Sequence, residues 1–322
     1  MALSDFHDVW VLVTGGAGFI GSHLVDALLE RGARVRVLDN FATGRRANLL
    51  HCLDQIELVE GDIRDAETCR RVCKGTTVVF HQAALGSVPR SMKDPATTIA
   101  VNVAGTANVF AGARDAGVGR VVYASSSSVY GDSEKLPKRE GEEGRPLSPY
   151  ALSKVMNEQL AGQFVRCFGS ELVGLRYFNV YGPRQDPDGP YAAVVPRFFT
   201  ALIGGMSPII HGDGRQSRDF TFVHDAVEAN LRAAAAPSSA LGRAYNVAPG
   251  KATTISELFT QIRAVLGGGP DPRFVEPRAG DVRHSLAETT AARNDLGFVA
   301  AVDLDEGLAR TAPAYRAASA AK

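Results

Sequence analysis

Between Val9 and Gly21 the chain passes from a short apolar run, Val9-Trp-Val-Leu-Val-Thr14, straight into Gly15-Gly-Ala-Gly18-Phe-Ile-Gly21. The run has strand length, and from Phe19 to Arg31 apolar residues recur at helical spacing until Gly32 stops them. The order is strand, tight turn, helix. The glycines satisfy G-x-x-G-x-x-G and, from Gly16, G-x-G-x-x-G. There, glycine permits the turn, lets backbone N–H groups approach a pyrophosphate at the helix N-terminus, and lets helix pack on strand. A second strand is expected at Arg34-Val-Arg-Val-Leu-Asp39, with Asp39 at its end placed to accept the adenosine ribose hydroxyls. Its charge would repel a 2′-phosphate, so the expected cofactor is NAD rather than NADP. The plainer reading of Asp39 is a turn residue beside Asn40.

Strand candidates follow at Ile56 to Glu60, Thr77 to His81, Arg120 to Ser125 and Glu171 to Tyr177, separated by helical stretches such as Ala96 to Ala116. This alternation predicts an α/β fold: a Rossmann-type doubly wound parallel sheet that binds ligands at its carboxyl edge. Asp62-Ile63, His81-Gln-Ala-Ala84 and Ser125 to Ser128 all fall at that edge. His81 reads as a packed strand-end histidine.

After Tyr177 the pattern loosens. Gly182 to Pro190 is loop chemistry, and Ala192 to Ile203 resumes as a helix. Phe220 to Asn230 reads as strand then helix, returning to the sheet, with Asp225 near the helix start. Thr254 to Leu266 and the Arg-rich Pro277 to Ser285 belong to a smaller lobe, joined by a flexible Gly267-Gly-Gly-Pro270; the alanine-rich tail from Ala312 should fray. The expected division is a NAD-binding Rossmann domain, 1–178 plus about 216–248, and a C-terminal substrate-binding lobe, about 179–215 plus 249–322.

The 35 basic and 35 acidic side chains cancel, which argues against a nucleic-acid or anionic-membrane surface. Val9 to Val13 is far shorter than the ~20 residues of a spanning helix, and no basic leader with a cleavage site precedes it, so a cytoplasmic protein is expected. Cys52, Cys69, Cys73 and Cys167 show no zinc spacing and read as reduced thiols; no metal is expected around the seven histidines.

Tyr150-Ala-Leu-Ser-Lys154 carries the chemistry. If the segment after Pro149 is helical, the i, i+4 spacing puts both side chains on one face, where the Lys154 charge can favour a Tyr150 phenolate. A tyrosine ordinarily titrates near pH ~10, so it needs such help to act as a base at neutral pH. Val121-Val-Tyr-Ala-Ser-Ser-Ser-Ser128-Val-Tyr-Gly131 leaves a buried strand for a hydroxyl-rich turn that could hydrogen-bond a substrate oxygen and relay its proton to Tyr150. The alternative is a polar turn that caps the next segment.

The glycine turn, Ser126, Tyr150 and Lys154 in this order resemble the extended short-chain dehydrogenase/reductases. Within them the chain is similar to the UDP-hexose 4-epimerases, through Thr14 to Ser22, Asp39-Asn-Phe-Ala-Thr-Gly44, Gly61-Asp-Ile63, Ser125 to Gly131, Tyr150 to Lys154 and Arg176-Tyr-Phe-Asn-Val-Tyr-Gly-Pro183. The resemblance implies Ser126, Tyr150 and Lys154 as catalytic residues. It implies NAD contacts at Gly15, Gly18, Phe19, Ile20, Gly21, Asp39, Asn40, Thr43, Gly44, Asp62, Ile63, Gln82, Ala83, Ala84 and Tyr177, besides Tyr150 and Lys154. For a UDP-hexose it implies Asn179 and Val195, with Arg218 and Arg278 on the diphosphate and Asp281 on the uridine ribose. Guanidinium forks suit phosphate oxygens. It further implies a homodimer through helices that include Ala96 to Ala116 and Tyr150 to Phe168.

The related 4,6-dehydratases carry an Asp-Glu pair after their catalytic threonine. Here Ser127 and Ser128 stand there, which disfavours dehydration. For the sugar, the family's gate beside the C2 substituent falls on Ser285, small enough to admit an N-acetyl group, and Leu85-Gly-Ser-Val-Pro-Arg90 resembles the branch preferring N-acetylated hexosamines, with Gly86, Ser87 and Ser127 near the substituent. UDP-GlcNAc/UDP-GalNAc interconversion is the expectation, with UDP-Glc/UDP-Gal as a second activity. Rival readings are a UDP-glucuronate epimerase, for which Arg90, Ser87 and Arg184 could serve a carboxylate, a decarboxylase of the same superfamily, and a non-catalytic NAD-binding sensor or scaffold.

Overall fold

A computed structural model describes residues 6–187, 192–277 and 282–320. The opening run forms β1 (Trp10–Thr14), the glycine turn leads into α1 (Phe19–Leu29), and β2 (Arg34–Asp39) follows. Then come β3 (Ile56–Glu60), α2 (Ala66–Cys73), β4 (Val78–His81), α3 (Val88–Lys93) and α4 (Pro95–Ile99). The helix expected over 96–116 is one rod only in outline, because a π-helical turn, Ala100–Gly105, separates α4 from α5 (Thr106–Asp115). After β5 (Arg120–Ser126), α6 (Pro149–Phe168) and β6 (Leu172–Tyr177) complete the alternation.

These six strands and a later one, β9 (Ala244–Val247), form an all-parallel seven-stranded sheet in the order β3-β2-β1-β4-β5-β6-β9. The chain reverses direction across the sheet between β1 and β4, which leaves a crevice at their carboxyl ends. Apolar side chains of the strands are buried on both faces, one under α1 and α8 (Val223–Ala234), the other under α2, α5 and α6.

The return to the sheet differs from the expectation. Before α8, α7 (Val194–Ile203), β7 (Ile209–His211) and β8 (Ser217–Asp219) have already formed. Phe220 to Phe222 does not join the sheet; the seventh strand is β9 (Ala244–Val247), after α8. β8 instead pairs antiparallel with β10 (Ala252–Thr254). Asp225, near the start of α8, accepts the Ala301 and Val302 amides and is structural.

A further apolar core gathers Tyr181, α7, α9 (Ile255–Leu266) and the last helix. β11 (Arg273–Val275) pairs with β7, α10 (Thr290–Leu296) follows, and α11 (Leu304–Ala320) ends the described chain. The frayed tail is thereby corrected. Leu308, Ala312 and Tyr315 form one buried stripe, and the Tyr315 ring stacks on Phe199 with centroids 5.2 Å apart. No helix among the described residues is long and apolar enough to cross a membrane.

Candidate active site

A cleft of about 740 Å³ runs along the carboxyl edge of the sheet, and every residue expected to contact the cofactor lines it. Two glycines are dictated by space. Gly15 has φ +71°, and a Cβ there would stand 2.6 Å from the Ala83 amide nitrogen; at Gly21 it would stand 2.1 Å from the Gly15 carbonyl oxygen. α1 starts with no side chain capping it, so its first N–H groups point to whatever enters the cleft. Asp39 is buried at the end of β2, where its two oxygens accept the Ala17 and Phe41 amides at 2.9 and 2.8 Å. Asp39 is thus a turn-forming acid, and it also lines the cleft. Burial raises its carboxyl above the ordinary range, while the two amides oppose this. At the next strand end, the Arg64 guanidinium and Asn40 hold the Asp62 carboxyl down, at about 2. The cleft thus offers N–H groups for phosphates and carboxylates for ribose hydroxyls, and so fits a dinucleotide.

His81 faces away from the chemistry. Its ring nitrogens meet the hydroxyls of Thr14 (2.7 Å) and Thr106 (2.9 Å), and burial lowers its pKa to about 3. An unfolded histidine binds its proton near pH ~6.5. Between that value and 3 the unfolded chain therefore takes up a proton that the folded one refuses, and stability falls as the pH drops. Denaturant unfolding across pH 7 to about 4 should show this fall, and His81→Gln should make it shallower whatever the plateau.

The catalytic end is built by two strand and helix termini. Ser148 caps α6 by accepting the Ala151 amide (3.1 Å), and Pro149 occupies the first turn, so Tyr150 and Lys154 leave one face toward β5. The Lys154 Nζ lies 6.0 Å from the Tyr150 ring centroid and donates to the Ala124 carbonyl at 2.8 Å. The Tyr150 phenol lies beside Ser126, whose hydroxyl favours the phenolate. Ser126 accepts the Ser128 amide (3.2 Å), capping the turn over Ser127–Tyr130, so the residue expected as a relay is also a cap. One expectation needs correcting. Burial raises the Tyr150 pKa, Ser126 only opposes this, and burial lowers Lys154 to about 8. Desolvation of both groups outweighs their spacing.

Sequence reasoning missed the buried network beneath them. Glu158, one turn beyond Lys154, accepts a hydrogen bond from Ser125 and a two-pronged one from the Arg176 guanidinium at 2.9 and 2.7 Å. Arg176 also pairs with Glu143 and donates to the Tyr130 hydroxyl, which donates to Asn246. The ends of β5, β6 and β9 are thereby tied to the catalytic helix. The signal was available in part, since Arg176 is a charge inside an apolar strand and so requires a partner.

A second cavity, about 230 Å³, adjoins the cleft and is lined by Asn179, Val195, Arg218 and, among others, Arg197, His211 and Gln216. Asn179, Val180 and Gln185 line both cavities. Gly86 and Ser127 lie on the cleft wall; a Cβ on Gly86 would meet nothing within 4 Å. Ser87 lines neither cavity, and its side chain caps α3 by accepting the Arg90 amide. Ser285 also lines neither: its amide donates to the Ser217 carbonyl (3.1 Å), beside Arg218. Arg278 and Asp281 lie outside the described residues. Asp26, His51 and Cys52 bring one ligand atom each within 4.8 Å, but the Arg184 guanidinium already sits 2.8 Å from Asp26.

Sheet, glycine turn and the Ser126, Tyr150 and Lys154 cluster together define an extended short-chain dehydrogenase/reductase, a class of NAD-dependent enzymes. Residues 11–248 match the model of the NAD dependent epimerase/dehydratase family, and the chain belongs to that family, with NAD as its cofactor. It is similar to a UDP-glucose 4-epimerase of Mycolicibacterium smegmatis, 42% identical over 309 residues that cover 95% of this chain and 98% of the relative. Its structure superposes on a UDP-N-acetylglucosamine 4-epimerase of Methanobrevibacter ruminantium, solved in complex with UDP-N-acetylmuramic acid, with TM-score 0.93, 38% identity and coverage of 97% and 99%. A UDP-glucose 4-epimerase of Thermus thermophilus, solved in complex with NAD, aligns with TM-score 0.87, 36% identity and coverage of 96% and 100%.

Proposed function

We propose that the protein interconverts UDP-hexoses epimeric at C4 through a transient 4-keto sugar, with UDP-GlcNAc/UDP-GalNAc preferred and UDP-Glc/UDP-Gal as a second activity. The observation that carries this is that Ser126, Tyr150 and Lys154 line a cleft that joins, through Asn179, Val180 and Gln185, a second cavity holding Arg218. In this reading Arg218, with Arg278, binds the diphosphate, Asp281 the uridine ribose, and Asn179 and Val195 the substrate between. Asp39 and the amides at the start of α1 hold the dinucleotide. Bound NAD would supply the hydride acceptor. The Lys154 ammonium, on the same helix face as Tyr150, would favour the phenolate against its burial. Tyr150 takes the C4 hydroxyl proton directly or through Ser126, and Lys154 holds the ribose and the Ala124 carbonyl. The keto sugar, anchored by its nucleotide, would turn its other face so that the hydride returns to C4 from the opposite side while Tyr150 gives the proton back to the oxygen.

The N-acetyl preference is supported by the open wall at Gly86 and by Ser127, which lines the same cleft. Ser285 is proposed to act as the gate from its place next to Arg218. Ser285→Tyr should lower turnover of UDP-GlcNAc at least tenfold while UDP-Glc changes little, a steric effect of about 1–3 kcal/mol; equal losses would sink the gate. Incubating the protein separately with UDP-GlcNAc, UDP-Glc and UDP-GlcA, and resolving the epimers, tests the reading as a whole.

A UDP-glucuronate epimerase is favoured by one feature, Arg90 on the cleft wall. Of the other two groups that could serve a carboxylate, Arg184 pairs with Asp26 and Ser87 lines neither cavity. We also propose a cytoplasmic homodimer through α4–α5 and α6. Leu152 and Met156, one turn apart on α6, are 44% and 36% exposed and would be covered there, which a sedimentation measurement can check.

A further inference from the structure

We propose that Asp26, His51 and Cys52 form a binding site for a zinc-class divalent cation, between α1 and the short helical turn Leu50–Cys52 that follows β2. None of the three lines the cleft or the second cavity, so the site is separate from the chemistry described above. One ligand atom from each lies within 4.8 Å of the other two, and among the described residues no other His, Cys, Asp and Glu side chains gather so closely. The donors also match one metal class. A thiolate, an imidazole and a carboxylate together suit zinc and cadmium, whereas magnesium and calcium prefer oxygen alone. Three protein ligands leave a fourth tetrahedral position for water.

The Arg184 guanidinium does not close this site, because the two oxygens of Asp26 face different ways. Oδ2 meets Arg184 at 2.8 Å, and Oδ1 meets the His51 Nε2 at 2.8 Å. Arg184 therefore orients the carboxylate from behind, as the outer partners of a metal-bound carboxylate do. In a tetrahedral site with bonds of about 2.0–2.3 Å, the ligand atoms stand roughly 3.3–3.6 Å apart. Reaching that spacing requires little movement. Asp26 is held by Arg184 and Cys52 is buried, but the His51 side chain is 50% exposed and can swing.

The thiol is set to exchange a proton for a metal. Burial, and then the Asp26 carboxylate, raise the Cys52 pKa, so the thiol stays protonated and its S–H is directed to the Leu49 carbonyl at 3.4 Å. As the sulfur–metal bond forms, the S–H bond breaks and its proton leaves to solvent. The same turn is fastened to the glycine turn, since the Asn48 side chain donates to the Ala17 carbonyl at 2.9 Å. A cation at Cys52 would add a second fastening, from the loop after β2 to α1, and so stabilise the folded chain.

The NAD-loaded protein should be titrated with Cd²⁺, whose bond to a thiolate gives an ultraviolet charge-transfer band. Cys52→Ser should abolish the band, and Cys167→Ser, at the exposed thiol, should keep it. His51→Gln and Asp26→Asn should each weaken Cd²⁺ binding roughly tenfold or more. Zn²⁺ should displace the Cd²⁺ and raise the unfolding temperature of the wild type but not of Cys52→Ser, and Mg²⁺ should do neither. A band that survives Cys52→Ser, that is lost in Cys167→Ser, or that is indifferent to both His51→Gln and Asp26→Asn would overturn the site. If Cys52→Ser does not fold, X-ray absorption of the Cd²⁺-loaded wild type decides. A single sulfur among nitrogen and oxygen neighbours supports the assignment, and several sulfurs or none refute it.

Discussion

Tyr150→Phe should reduce epimerisation by roughly 10³-fold or more while the protein still binds NAD. The substitution removes only the hydroxyl beside Ser126, and a positioned acid–base group contributes on the order of 10²–10⁴. The ring would remain against Lys154, and the N-terminus of α1, Asp39 and Lys154 would still face the cofactor. The measurement is paired: turnover of UDP-GlcNAc and UDP-Glc, and NAD content after gel filtration. Appreciable residual turnover would rule out Tyr150 as the base. Loss of NAD along with activity would mean that the phenol has a structural role instead.

The second large effect is on stability. Arg176→Met should cost about 3–5 kcal/mol, because it leaves the Glu158 carboxylate in a mostly buried position without its cation. Glu158 keeps only the Ser125 hydroxyl, and the Tyr130 hydroxyl loses its donor. Replacing both charges, as Arg176→Met with Glu158→Gln, should recover part of the loss, since breaking a buried pair costs more than removing it. Denaturant unfolding of the two single variants and the double variant reads the coupling. If the double variant loses the full sum, the pair is not the unit that holds these strand ends together.

The sheet was legible because its signals are local. Val9 to Thr14, Arg34 to Asp39 and Ile56 to Glu60 are apolar-rich runs bounded by turn residues, and their structure follows them to within a residue. The lining of the cleft was legible for a related reason: at a parallel sheet's carboxyl edge, a strand's end predicts its neighbours in space. What escaped depended on contacts between distant segments. β9 is four residues long and has no pattern of its own, and it becomes a strand by pairing with β6. The tail from Ala312 looks like low-complexity alanine until Phe199 gives Tyr315 something to stack on. Tyr150 and Lys154 were placed correctly, but not the balance of their charges, because spacing says nothing about how much water burial removes.

Asp39 ties two properties together that are often thought separable. The carboxylate at the end of β2 holds the Ala17 amide of the glycine turn as well as the Phe41 amide of the following loop. Exchanging it for a small neutral residue, the simplest route to accepting a 2′-phosphate, would also slacken the glycine turn and the loop that it anchors. Cofactor preference in this chain is thus buffered against single substitutions. A switch would need a second change that re-anchors the turn before the first becomes useful.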